Sequence, residues 1–475
     1  MIKVLNQYFP RRWAVLLIGE SLLILAALTV ALALETGGWP AQAASPGVWL
    51  KAVLITLVCQ VCLHYSDLYT PNSRPTGAEV LARLLQALGI ASLVLALVYW
   101  LLPETRFSTG LVVGSVLAIL LMLLGWRRAM DLGMSWAHRA YPAGERLLVL
   151  GAGDRARALL HELRLRPELG LELVGVVAED EQAGLAGAGG QRLVGAADVP
   201  VLGELAEVGA VIAAQRPQRI VLALQEHRRH LPTEELIAAR AAGVQIEEAP
   251  TLFERVTGRV ALESIRPSWL ILSDGFHTSA WMRVVKRGSS AVAAGLGLVV
   301  LSPLLALVAV AIKLDSPGPV IYRQQRVGIK GRCFDIFKFR SMRADAEQRS
   351  GPVWAQQRDP RVTRVGTWLR TLRLDEIPQL FNVLRGEMSI VGPRPERPVF
   401  VEEFRRTIPF YEVRHSVRPG ITGWAQVNRD YGAGLEETRE KLEYDLFYIK
   451  NLSVWLDLFI LFQTTKIMAL GRGAR

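Results

Sequence analysis

The stretch GSSAVAAGLGLVVLSPLLALVAVAI, Gly288–Ile312, restricts the folds open to this chain more than any other. It is long and apolar enough to span a bilayer. Yet Arg283, Lys286 and Arg287 precede it, and Lys313, Arg323 and Arg326 follow it. Lys and Arg concentrate on the cytoplasmic side of a membrane, so basic flanks at both ends keep both ends on that side. Pro303 falls mid-segment, where it removes a backbone hydrogen bond and kinks a helix. Ser302 can return a hydroxyl bond to the freed carbonyls. The pattern predicts a helix over 288–312 that enters the membrane, breaks at Ser302-Pro303 and turns back. The alternative, a fifth kinked span, would export everything after Lys313.

Four earlier apolar runs, Trp13–Leu34, Val48–Tyr65, Leu84–Leu102 and Leu111–Trp126, read as transmembrane helices in a unit over residues 1–130. Lys3, Arg11 and Arg12 precede the first, and Arg127 and Arg128 follow the last, which puts both ends of the unit in the cytoplasm. Glu20 lies close enough to the end of the first run to snorkel to the interface. The composition agrees: 51% hydrophobic residues with a net charge of +11 suit a membrane protein whose soluble mass faces the positive side. Nucleic acid is not an expected partner, because the basic residues come with no zinc spacing or RNA-binding aromatic motif. Cys59 and Cys62 sit inside an apolar run and read as small packing residues.

A middle segment, 145–262, has the pattern of a small parallel α/β domain. Leu147–Leu150 reads as a buried strand, and Gly151-Ala152-Gly153-Asp154-Arg155-Ala156 then opens an amphipathic helix, a Rossmann-like strand–turn–helix. Glu172–Val177 and Arg219–Leu224 read as further strands, and Thr233–Gly243 as a helix. Glu179 and Asp180 lie too far past the glycines for the usual ribose contact, and no dehydrogenase set follows, so no cofactor is expected there. His227 and His230 have no third ligand nearby and read as a solvated face. The domain is also a candidate surface for a homodimer.

The chemistry is expected in TLRLDEIPQLFNVLRG, Thr371–Gly386, where Asp375 and Glu376 stand in the most arginine-rich part of the chain. Asp375 reads as the N-cap of a short helix with Pro378 in its first turn and Gly386 as its stop. Free N–H groups and nearby arginines would favour an ionised Asp375. Adjacent carboxylates can bind Mg²⁺ together with phosphate, and an ionised Asp beside a phosphoryl group is a plausible nucleophile. A bare helix cap is the simpler reading of those residues alone. The neighbourhood argues for more. Tyr322–Arg343 is basic with interleaved aromatics, Ser389–Pro398 is a stiff loop carrying Arg394, and Ser416–Val427 is another, carrying Arg418.

Taken together, FKFRSM, LRLDEIPQLFNVLRGEMSIVGPRPE and RPGITGWAQV closely resemble the bacterial sugar transferase family, the monotopic phosphoglycosyl transferases, over about Trp281–Arg475. The four N-terminal runs and the Rossmann-like module resemble its large, exopolysaccharide-associated members. The resemblance implies a membrane protein of mixed α and α/β class, with a mainly α catalytic domain over 281–475. It implies transfer of a sugar-1-phosphate from a UDP-sugar to undecaprenyl phosphate at the cytoplasmic face of the inner membrane, with Mg²⁺ as cofactor. Asp375 would be the nucleophile and Glu376 its partner in holding metal or orienting the dyad. Arg394 would bind phosphate, with Lys338, Arg340, Arg373 and Arg418 as further candidates. Ser302-Pro303 matches the family's helix-breaking pair. One departure is visible: the Asp that often follows the basic pair at the membrane entry is replaced by Gly288, Ser289 and Ser290. The C-terminal Leu452–Leu470 reads as an interfacial helix.

Overall fold

The computed structural model describes residues 2–4, 7–9, 11–36, 46–69, 76–103, 109–140, 144–179, 185–186, 192–194, 199–224, 231–262, 265, 275–276, 279–343, 346, 359–429 and 434–470. Asp180, His227 and His230 lie outside them. The chain divides into two units, Met1–Ala249 and Pro250–Arg475.

After a short antiparallel strand pair, Ile2–Val4 with Gln7–Phe9, the first unit has four apolar helices, α1 (Arg11–Thr36), α2 (Pro46–Tyr65), α3 (Gly77–Leu101) and α4 (Thr109–Ala140). The first three are long and apolar enough to cross a membrane, as is the later helix Ala280–Asp315. α3 starts on a capping box, with Thr76 and Glu79 each accepting the other's backbone N–H. α4 runs beyond Trp126, so Arg127 and Arg128 lie within the helix rather than after it. Ile24, Leu63, Leu84 and Leu123 are fully buried between the helices, and the free thiols of Cys59 and Cys62 pack with them. Leu22, Leu50, Leu57 and Leu93 point outward and exposed, as lipid-facing residues do.

Glu20 does not snorkel. It is fully buried, 2.7 Å from Arg127 Nη2, and accepts a hydrogen bond from the Tyr69 hydroxyl. Tyr69 also reaches Gln60 Oε1 at 2.7 Å, and Gln60 Nε2 donates to Ser21 Oγ at 3.0 Å. Packing of α1 on α4 supplies a counter-charge, so the acid need not reach water.

The rest of this unit is a parallel α/β fold. Strands β1 (Glu145–Leu150), β2 (Leu171–Ala178), β3 (Val199–Glu204), β4 (Arg219–Leu222) and β5 (Gln245–Glu248) lie in the order 3-2-1-4-5, all parallel. Two short antiparallel strands, Leu185–Ala186 and Arg192–Val194, extend the edge beside β3. This is the doubly wound order expected from the glycine turn. Helix α5 (Asp154–Arg164) follows that turn, and α6 (Val208–Gln215) and α7 (Thr233–Ala241) complete the covering layers. Gly151 has φ +111, and a Cβ there would stand 2.8 Å from the backbone of Ala223. Close strand packing alone therefore requires glycine at this turn.

The second unit begins earlier than the sequence suggests. Helix α8 (Ala249–Thr257) and the turn after it pack into the C-terminal core. Lys450 Nζ donates to Glu254 at 2.6 Å, Trp424 Nε1 to Gly258 O at 2.7 Å, and Val260 N to Glu443 O at 3.1 Å. Val260 and Ile265 then share a core with Leu446, Tyr448 and Ile460. Residues 250–262 thus belong with the C-terminal unit, not with the α/β domain.

Helix α9, Ala280–Asp315, is continuous through Pro303, so the expected break is a proline within one helix. Pro303 frees the carbonyl of Val299, and Ser302 Oγ donates to it at 2.8 Å, which keeps the helix satisfied there. The hairpin β6 (Ile321–Val327) and β7 (Cys333–Phe339) follows. After it come α10 (Arg364–Thr371), α11 (Gln379–Arg385) and α12 (Pro398–Thr407), then α13 (Trp424–Asn428), α14 (Leu435–Lys450) and α15 (Val454–Ala469). Leu456 and Ile460 bury α15 against that core, and Asp457 accepts from Lys286 and Tyr448.

Candidate active site

Asp375 and Glu376 do not cap an α-helix directly. They form a 3-10 turn, Leu374–Glu376, and the helix proper begins at Gln379 after Pro378, whose φ −59 and ψ −16 continue the turn. Seven residues later Gly386, at φ 85, stops it as expected. Arg373 holds the left-handed conformation, φ 54 and ψ 23, which swings the chain from α10 into the acidic turn. Side-chain cations, rather than a helix end, set the charge environment of the dyad.

Those cations arrive from three elements. Lys338 on β7 donates to Glu376 Oε1 at 2.8 Å, and Arg394 on the proline-rich loop donates to the same oxygen at 2.7 Å. The third, Arg370 on α10, has its Nε on Ser341 Oγ at 3.0 Å while its charge acts on Asp375. Arg370 was one arginine among many in the sequence; only the fold shows that it faces the acid.

The two carboxylates respond differently. Burial would push Glu376 up, but Arg394 and Lys338 outweigh it and hold this acid well below the usual carboxylate range. Asp375 is pushed up, first by burial and further by the charge of Glu376, against the pull of Lys338, Arg370 and Arg394. The surrounding cations do pull Asp375 toward its charged form, but burial and the Glu376 charge outweigh them, because Glu376 takes the direct ion pairs. The result is one acid held toward its charged form and oriented by two cations, and one more basic acid beside it.

Arg340 and Arg418 act elsewhere. Arg340 Nη2 donates to Ser316 O at 2.7 Å and Ile312 O at 3.4 Å, capping the end of α9. Arg418 Nε donates to Gly386 O at 3.0 Å, at the end of α11, where Arg287 also binds Val383 O and Leu384 O. Both complete helix carbonyls. Among the described residues no cluster of three or more His, Cys, Asp or Glu forms. Both cations bind Glu376 through Oε1, so Glu376 Oε2 and the Asp375 carboxylate are the oxygens with which the pair would hold Mg²⁺, an ion that commonly takes one or two carboxylates and fills its shell with substrate phosphates and water.

Comparison with known proteins agrees with this arrangement. The family model for bacterial sugar transferases matches residues 281–471, and one for a CoA-binding domain matches 64–230. A UDP-glucose:undecaprenyl-phosphate glucose-1-phosphate transferase of Escherichia coli (strain K12) is 36% identical over 71% of this chain and 70% of its own length. One of the same name from Xanthomonas campestris pv. campestris is 33% identical over 69% of the chain and 67% of that protein. A UDP-N-acetylgalactosamine-undecaprenyl-phosphate N-acetylgalactosaminephosphotransferase of Aeromonas hydrophila is 47% identical over 49% of this chain, which spans 54% of that relative. With an α/β module behind apolar helices and a paired-acid turn ringed by Lys338, Arg370 and Arg394, the chain belongs to the bacterial sugar transferase family.

Proposed function

We propose that this protein transfers a sugar-1-phosphate from a UDP-sugar to undecaprenyl phosphate at the cytoplasmic face of the inner membrane, through a phosphosugar bonded to Asp375. The product is the lipid-linked sugar that opens synthesis of an exopolysaccharide, capsule or O-antigen repeat. The observation that carries the mechanism is the division of labour in the dyad: Lys338 and Arg394 occupy Glu376, while Asp375 beside it is the more basic acid.

A carboxylate oxygen of Asp375 attacks the phosphorus that bears the sugar. The bond from that phosphorus to the bridging oxygen breaks, and the electron pair leaves with UMP. An oxygen of undecaprenyl phosphate then attacks the same phosphorus and expels the Asp375 carboxylate, giving the lipid diphospho-sugar and free enzyme. Each step is an in-line displacement in which positive groups stabilise the equatorial oxygens. In this reading Arg394 and Lys338, which already act on the dyad, stabilise that charge, and Arg370 adds to it. Glu376 stays ionised and orients the two cations. Asp375 and Glu376 would hold Mg²⁺, which when bound offsets diphosphate charge.

The membrane placement rests on α9. Near its start Arg287 is bonded to α11, and at its end Arg340 holds Ile312 and Ser316. Ala294 packs with Val383 and Met388, and Val308 and Ile312 with Phe339 and Leu369. Both halves of the helix thus lie under the same catalytic core, which favours a dip into one leaflet over a crossing. Cysteines placed at Arg283 and Lys330 should label from the same membrane face; labelling from opposite faces means a crossing.

The activity is tested by UMP release from a panel of UDP-sugars with undecaprenyl phosphate and Mg²⁺. The wild type should release UMP with at least one donor, and Asp375→Asn should lose about 10⁴-fold or more. Full turnover by Asp375→Asn removes the mechanism.

A further inference from the structure

The loop that delivers Arg394 is gripped carbonyl by carbonyl. Pro393 O accepts from Gly420 N at 2.9 Å, and Arg394 O accepts from Arg414 Nη2 at 2.9 Å. Next along the loop, Pro395 O accepts from Arg326 Nη1 at 3.0 Å, and Glu396 O from Val327 N at 2.9 Å. Four consecutive carbonyls are thereby fixed to β6, to the 411–416 turn and to the strand Gly420–Thr422. Of the two arginines that do this, Arg414 is buried and Arg326 half-buried, and both are held in turn. Arg414 pairs with Asp445 at 2.8 Å and donates to the Tyr411 hydroxyl at 2.6 Å, with side chains 6% and 2% exposed for the pair. Arg326 lies 3.5 Å from Glu396 and donates to Gln324 at 2.7 Å.

Burying guanidinium groups, even against carboxylates, is a poor way to gain stability, because desolvating the charges offsets most of the attraction. It is an effective way to fix one segment of backbone within a fraction of an ångström. The side chain so aimed is Arg394, whose Nη2 meets Glu376.

We infer that Arg414, braced by Asp445 and Tyr411 and assisted by Arg326, is a positioning residue that sets the guanidinium of Arg394 against the diphosphate of the sugar nucleotide. This rests on the proposed function and deepens it: the phosphate-binding arginine is effective because its own backbone has been immobilised before substrate arrives. A misplacement of about 1 Å in such a group can cost roughly 10²-fold in rate.

The test is a double-mutant cycle on kcat/KM for UMP release, using the full-length protein in detergent or nanodiscs. Arg414→Lys keeps a counter-charge for Asp445 but cannot reach Asp445, Tyr411 and the Arg394 carbonyl together. It should lower kcat/KM by about 10–100-fold while the protein still unfolds cooperatively near the wild-type temperature. In an Arg394→Ala background the same change should cost less than about 3-fold, because the group it positions is gone. Equal loss in both backgrounds, or wild-type activity in Arg414→Lys, overturns the inference. If Arg414→Lys does not fold, Arg326→Lys, which slackens the neighbouring carbonyl, is read through the same cycle. Unchanged UMP release in Arg394→Ala alone would instead overturn the phosphate-binding role of Arg394 itself, so the two failures are told apart.

Discussion

The bundle and the catalytic unit each bury a glutamate against an arginine, and the two arrangements are built to opposite ends. In the bundle Glu20 faces Arg127 one to one, with Tyr69, Gln60 and Ser21 completing the polar contacts. In the catalytic unit Glu376 engages Lys338 and Arg394 through one oxygen, and a second carboxylate, Asp375, stands in the sequence beside it. The first cluster balances its charge and ties α1 to α4. The second gathers three cations around two acids, which leaves positive potential that suits the proposed diphosphate and makes one acid more basic than its partner. A buried ion pair by itself therefore does not mark a functional site. Imbalance among neighbouring charges does.

The largest effect separating the two clusters is on stability. Arg127→Ala strands Glu20 and should cost about 3–5 kcal/mol, read as a fall in thermal midpoint, while kcat per folded molecule stays near wild type. Loss of catalysis without loss of stability would erase the contrast. The second effect is the converse. Glu376→Gln leaves Lys338 and Arg394 without their carboxylate and should reduce kcat/KM for UMP release by about 10–100-fold, given roughly 1.5–3 kcal/mol for a charged hydrogen bond. The smallest effect is on pH dependence. As the proposed nucleophile Asp375 would act deprotonated, and its affinity for a proton is raised in the folded protein, so activity should fall with decreasing pH while still above the ordinary aspartate value of 3.8. Removing the neighbouring negative charge lowers that affinity, so the residual activity of Glu376→Gln should keep its acid limb to a lower pH. An unmoved limb means that another group titrates.

Much of this contrast lay within reach of the sequence, and its limits are instructive. Apolar runs announced the bundle helices, because lipid demands continuous hydrophobic length. The glycine turn and the strands at Leu147, Glu172 and Arg219 announced the α/β sheet, and DE before a Gly-stopped helix announced the dyad. What escaped was the destination of each charged side chain. Arginine carries five donors that suit phosphate, carboxylate and backbone carbonyl alike. So Arg340 and Arg418, which cap helix ends, looked no different from Arg394, and Arg370 and Arg414 carried no local mark at all. Glu20 escapes for the same reason: its partner lies on another helix, and only packing brings them together. The boundary near 250 was hidden because α8 is amphipathic and would suit either neighbour, but buries Leu252 and Phe253 and pairs Glu254 with Lys450.

The central claim is that Asp375 carries the sugar phosphate between its two substrates. It is tested most directly by mixing the protein with a UDP-sugar in the absence of undecaprenyl phosphate, quenching, and mapping the adduct by peptide mass spectrometry. The account predicts a hexose-phosphate mass on the peptide containing Asp375, formed with release of one equivalent of UMP and discharged on addition of the lipid phosphate. UMP release that begins only when undecaprenyl phosphate is present, with no adduct on that peptide, would mean direct transfer between substrates and would contradict it.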